Sequence, residues 1–188
     1  TALSSQPFLE AAVNEVAAAL AGGSSADLAL VFASTHYASD LQRLLPLLQR
    51  RLKATHWLGC AGGGVIGTTA KGNASELEKE PALSITMLQL PGAILKPFCL
   101  ETQSLPDLDG PAQHWQEWVG ADPFNARSML LLVDPSSRSI NDLISGLDYA
   151  YPTTTKLGGI AGPHNAPHGS LFFDDRVVMG AVGCSFGG

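Results

Sequence analysis

The sequence predicts an α/β fold, a mixed sheet with flanking helices built from two similar α-β-α-β-β-β halves. Three observations predict it. Two short apolar runs, 28–33 and 128–133, are bounded by polar residues and have the length of strands buried on both faces. Each run lies between stretches whose apolar residues recur at i, i+3 and i+4, the spacing of a helix with one buried stripe. A shift of 99 residues also lays the first half on the second without a gap from residue 27 to residue 63. Strands joined through helices pair in parallel, so a helix-covered mixed sheet follows.

The first helix of each half spans 8–20 and 112–119, with Val16 and Leu20 falling on Trp115 and Val119. After each buried strand, Ser39 or Asp40, and Ser139, are placed to cap a second helix. Its stripe is Leu41, Leu44, Leu45, Leu48 and Leu52 in one half and Ile140, Leu143, Ile144, Leu147 and Tyr151 in the other. Pro46 sits inside the first copy and Pro152 ends the second. Short strands at 56–58 and 155–157 then run into glycine clusters. A hairpin closes each half. The later one has strands at 170–173 and 176–186 about the turn Asp174-Asp175. The earlier one uses Val65-Ile66 and 83–87, joined by a polar surface loop at 71–81. The halves divide at about residue 100, within a single domain over 1–188.

Composition narrows the function classes. Of 188 residues, 45% are apolar and 15% charged, which suits a packed core rather than a disordered chain. Eleven basic against 17 acidic residues, with no basic run, argue against nucleic-acid binding, which begins with phosphate neutralisation. No apolar run reaches the roughly 20 residues that span a bilayer. Cys60, Cys99 and Cys184 are odd in number and form no CxxC, which points to a reducing compartment, and no cofactor or metal is expected.

The 20 glycines need an explanation. Gly62-x-Gly64-x-x-Gly67 has the letters of a dinucleotide fingerprint, but 68–73 cannot form the helix whose N-terminus would face a pyrophosphate. The expectation is instead two paired glycine loops, with Gly59, Cys60, Gly62 and Gly63 in one and Gly158, Gly159 and Gly162 in the other, offering backbone N–H groups to an anion. His164 and Asn165 extend the second loop as ligand contacts. Pro163 and Pro167 forbid the helix that would bring His164 and His168 onto one metal. Ser34 and His36, and Asp134 and Ser136, stand at the carboxyl ends of the buried strands, the edge where open α/β sheets bind ligands. There is no GxSxG elbow. Cys60 beside His56 is a conceivable nucleophile and base, although a buried Cys usually behaves as a small hydrophobe.

The run Leu28 to Ser34, then Leu58-Gly-Cys-Ala-Gly-Gly63, Val65-Ile66-Gly67 and Ala82 to Ile85, resembles the FIST N-terminal domain. So do Ser139 to Leu147, Leu157 to Gly162 and Val177 to Val182, so the resemblance covers about 25–186. It implies a sensory module that binds small ligands such as amino acids, with no catalytic residues to carry over. It also implies a C-terminal FIST part beyond this stretch, so that the chain is a fragment whose site the missing part completes. Only the glycine elements at 59–63 and 158–162 carry over as matching positions.

The leading expectation is a non-catalytic ligand-sensing domain for a small anionic or zwitterionic molecule. The alternatives are an interaction or scaffold module in a larger assembly, which Trp57, Trp115 and Trp118 and the low surface charge suggest, and an enzyme using Cys60. The compartment expected is the cytoplasm, or the plastid stroma if the source is an alga or plant.

Overall fold

A computed structural model describes residues 1–23, 25–162 and 168–188. The chain divides into two units: one holds 1–90 with 161–178, the other 91–160 with 179–188.

The first unit is built on a six-stranded sheet. Its strands are β1 (Ala2–Ser4), β2 (Ala26–Ser34), β3 (Ala54–Gly62), β6 (Leu83–Leu88), β10 (Leu171–Phe173) and β11 (Arg176–Val178), in the order β1-β6-β2-β3-β10-β11. Only β2 and β3 are parallel, and a helical crossover joins them, as the sequence requires. Helices α1 (Leu9–Ala19) and α2 (Leu41–Gln49) cover one face. Leu9, Val13 and Val16 of α1 and Leu41, Leu44, Leu45 and Leu48 of α2 join Ala29, Val31, Ala33, Trp57, Ile85 and Phe172 in one buried cluster. Each fully buried Leu, Val or Phe there stabilises the unit by about 1.5–3 kcal/mol. On the other face a hairpin of β4 (Gly64–Thr68) and β5 (Ala74–Glu78) brings Val65 and Leu77 onto Leu3, Phe32 and Ala82. The segment expected as a surface loop at 71–81 therefore contains a strand, whose half-buried Ser75 and Leu77 alternate with exposed carboxylates.

The second unit has a four-stranded sheet of β7 (Ile94–Leu100), β8 (Ser128–Val133), β9 (Thr155–Ile160) and β12 (Ala181–Gly187), in the order β7-β12-β8-β9. Helices α3 (Ala112–Val119) and α4 (Ile140–Ala150) cover one face through Trp115, Val119, Leu143, Leu147 and Tyr151, packed on Met129, Leu131 and Val133. Trp115 donates its indole N–H to the Asp107 carbonyl (3.2 Å), and Tyr151 donates its hydroxyl to the Ala121 carbonyl (2.8 Å). Pro97 is tolerated in β7 because β7 is an edge strand.

Three local expectations change. The strand expected over 176–186 is cut at Gly180, whose φ of +85° separates β11 from β12. Neither Asp40 nor Ser139 caps its helix with a side-chain hydrogen bond. The ungapped 99-residue match slips by one on the first strand. Val31 pairs with Gly59, and Leu131 pairs with Gly158, so β2 matches β8 at an offset of 100 and β3 matches β9 at 99. An odd slip would turn every side chain to the wrong face, and Ala29, Val31 and Ala33 share the helix-covered face with Met129, Leu131 and Val133 in their own units.

Candidate functional site

Apart from Gly63 and Gly162, the glycines expected in anion-binding loops are strand residues. Gly59 and Gly62 lie in β3, Gly64 and Gly67 in β4, and Gly158 and Gly159 in β9, with Gly63 alone at the β3–β4 reversal. A Cβ on Gly59 would stand 1.7 Å from the Val31 carbonyl oxygen, and one on Gly158 would stand 1.7 Å from that of Leu131. Close approach of the neighbouring strand explains both. Gly67 is followed by no helix, so the fingerprint letters carry no phosphate site.

At the carboxyl end of β2, Ser34 is buried and structurally committed. Its backbone N–H donates to the Ala82 carbonyl (2.8 Å), and its hydroxyl oxygen accepts the Ala82 N–H (3.0 Å). The exposed His36 comes no closer to Ser34 Oγ than 3.5 Å. Ser34 pairs in register with Gly62, and Gly162 lies against the backbone of Gly62 and Gly63, its N–H donating to the Ala61 carbonyl (3.0 Å). Thus Ser34, Gly62, Gly63 and Gly162 do gather at one strand end of the first unit. His164 and Asn165 lie outside the described residues.

The nucleophile–base pair fails on geometry. His56 and Cys60 lie on one strand four residues apart, which sets their backbones roughly 13 Å apart. Burial pushes the Cys60 thiol up from 9.0 to about 11, the opposite of activation. His56 instead lies 3.6 Å from Asp174 Oδ1.

The carboxyl end of β8 in the second unit is different. Asp134 is fully buried, and its Oδ1 accepts both the backbone N–H (2.9 Å) and the hydroxyl (2.5 Å) of Ser136. The Asp134 N–H donates to the Gly180 carbonyl (2.8 Å). Ser137 donates its hydroxyl to the same carbonyl (3.3 Å), which leaves the Thr102 hydroxyl to donate to Ser137 Oγ (2.8 Å). Thr102, Ser136 and Ser137 form the floor of a cavity of about 820 Å³, lined also by Glu101, Gln103, Arg138 and Met179, and the fully buried Asp134 holds Ser136 from behind. Arg138 and Glu101 are exposed at its rim, one of each sign. A floor already bonded to itself holds its shape before any ligand arrives, which lowers the ordering cost of binding.

Asp134 and Ser136 were expected here. Thr102, Arg138 and Gly180 were not, because the ends of β7 and β12 bring Thr102 and Gly180 from far along the chain. The signal was the polar stretch Glu101-Thr102-Gln103 directly after an apolar one. Among the described residues no group of three or more His, Cys, Asp and Glu is placed to hold a metal, and no helix is long and apolar enough to cross a membrane.

Two comparisons bear on this arrangement. The family model of the FIST N domain matches residues 27–188. Uncharacterised proteins of two Mycobacterium tuberculosis strains, CDC 1551 / Oshkosh and H37Rv, are each 29% identical to the chain over 187 residues. The match covers 96% of this chain and 45% of each relative, so the chain spans about half the length of the curated relatives it matches.

Proposed function

The chain belongs to the FIST N family of sensory domains, and from that premise we propose that it is a non-catalytic sensor of a small anionic or zwitterionic ligand. The ligand occupies the cavity at the carboxyl end of β8. The observation that carries this reading is the preassembled floor of Ser136, Ser137 and Thr102, with Ser136 held by the buried Asp134, beneath one cationic and one anionic rim residue. Arg138 presents a planar fork suited to a carboxylate, and Glu101 suits an ammonium group, so an α-amino acid satisfies both. The Ser34 cluster of the first unit is left to a structural role, since the buried Ser34 hydroxyl oxygen already accepts the Ala82 N–H.

Thermal-shift screening of the full-length protein with amino acids and small organic acids tests the proposal. A ligand that binds only the native state raises the melting temperature, by an amount equivalent to about 2.7 kcal/mol at a hundred times its Kd. Arg138→Ala abolishes that shift. A panel without any shift, or a shift that Arg138→Ala leaves intact, overturns the assignment.

A further inference from the structure

Strand for strand, the two sheets follow one plan. In the first unit β1, β6, β2 and β3 stand in that order, with β1 and β6 antiparallel, β6 and β2 antiparallel, and β2 and β3 parallel. In the second, β7, β12, β8 and β9 stand in the same order with the same three polarities. The plans part at the last strand. β3 is followed by the antiparallel pair β10–β11, with Leu171 opposite Cys60, whereas β9 is the edge of its sheet among the described residues.

The uncovered edge is apolar and open. Leu157 and Ile160 are 62% and 59% exposed. Ile144 of α4, expected on the buried stripe, is 39% exposed, while its counterpart Leu45 in α2 is 1% exposed. The reason lies in the missing pair: Phe172 of β10 joins the cluster that buries Leu45, and Val177 of β11 packs against it. In the second unit the matching space is a groove of about 410 Å³ between α4 and β9, lined by Leu131, Ile140, Ile144, Leu157 and Ile160. The Thr155 N–H donates to the Arg127 carbonyl, so by strand alternation the amides of Lys156, Gly158 and Ile160 face outward. Natural edges are commonly guarded by a projecting Lys. Here the Lys156 ammonium is turned back onto the Tyr151 carbonyl (2.6 Å) and Asp148 (3.0 Å), and β9 carries no other Lys.

We infer that β9 is a docking edge for another part of the same polypeptide. The occupant is an antiparallel strand pair from the portion of the full-length protein outside residues 1–188. The relatives' length argues for this occupant, since more than half of it is unmatched by this chain. The pair adds backbone hydrogen bonds to Lys156, Gly158 and Ile160, and it sets a large apolar side chain in the groove as Phe172 is set in the first unit. This inference concerns a different surface from the ligand cavity and stands or falls apart from it.

Hydrogen exchange in the full-length protein, read amide by amide, tests it. The outward amides of Lys156, Gly158 and Ile160 exchange at least about 100-fold more slowly than those of the exposed turn at 70–73, because a paired edge opens only with its partner. Ile144→Asp in the same protein speeds exchange at these three amides. Turn-like exchange at all three in the unsubstituted protein overturns the inference. So does protection that fades on dilution, which would assign the edge to a second copy, and so does protection that Ile144→Asp leaves unchanged.

Discussion

Gly146 of α4 faces the indole of Trp115 so closely that a methyl group on it would stand 2.1 Å from the ring. Trp115 is fully buried, makes an edge-on contact with Trp118 at 5.6 Å, and has no free side on which to move. Ala is favoured over Gly in a helix by about 1 kcal/mol, but overpacking a core costs about 1–3 kcal/mol. Gly146→Ala therefore destabilises. Urea titration of Gly146→Ala, alone and with Trp115→Phe, checks this: the smaller ring recovers part of the loss, a coupling that independent sites would not show.

Gly59 and Gly158 are stricter still, because the obstacle is backbone rather than side chain. Gly59→Ala and Gly158→Ala each force two strands apart and cost more than about 3 kcal/mol, which is within reach of unfolding the unit. Gly63→Ala is the control. A Cβ there meets nothing within 4 Å, and the change stays within about 0.5 kcal/mol. Circular dichroism melts of the three variants give the ranking.

The site separates stability from binding. Asp134→Ala removes a buried carboxylate that accepts two hydrogen bonds from Ser136, and it costs about 1–3 kcal/mol. Arg138→Ala touches only an exposed side chain and leaves the ligand-free melting temperature within about 0.5 kcal/mol of its value in stability terms. Calorimetric melts without ligand distinguish the two.

Alkaline stability follows from three buried acids. Burial pushes Tyr37 and Tyr151 up from 10.0 to about 12, with Glu15 adding at Tyr37, and pushes Cys60 from 9.0 to about 11. A raised folded-state pKa contributes stability in full below the unfolded value and loses it as pH climbs through the folded one. Denaturant midpoints thus hold below pH 9 and fall between pH 9 and about 12, Cys60 acting first. Cys60→Ala, compared with the parent chain, delays the onset of the fall. At neutral pH iodoacetamide modifies the exposed Cys99 well before the buried Cys60 and Cys184, as peptide mass mapping would show.

What the sequence reveals and hides follows from the range of the forces involved. α1 and α3 are legible because one buried face repeats along a continuous segment, β2 and β8 because a short apolar run is bounded by polar residues, and Leu44, Leu48, Leu143 and Leu147 land where their spacing puts them. Ile144 does not, because its burial depends on a strand pair rather than on its own helix. β3 and β9 run further than expected, since glycine reads as a turn locally and is required in the strand by a neighbour far away in sequence. β1 has three residues and β7 carries Pro97, so neither has a periodic signature. Asp134 and Ser136 were legible from the strand end they follow. The hydroxyl of Thr102 was hidden because only the β7–β12–β8 pairing brings it there.

The interleaving of the two units has a consequence for synthesis. Leu171 pairs with Cys60, yet the whole of 91–160 leaves the ribosome between them. During that interval the β2–β3 pair has a raw outer edge, and Phe172 has not arrived to seal the cluster around Leu45. Closing so distant a pairing is slow, and an unpaired edge is prone to aggregate while it waits. The nascent chain is therefore most vulnerable after β3 has emerged and before β10 has, and that is the window in which a chaperone has the most to protect.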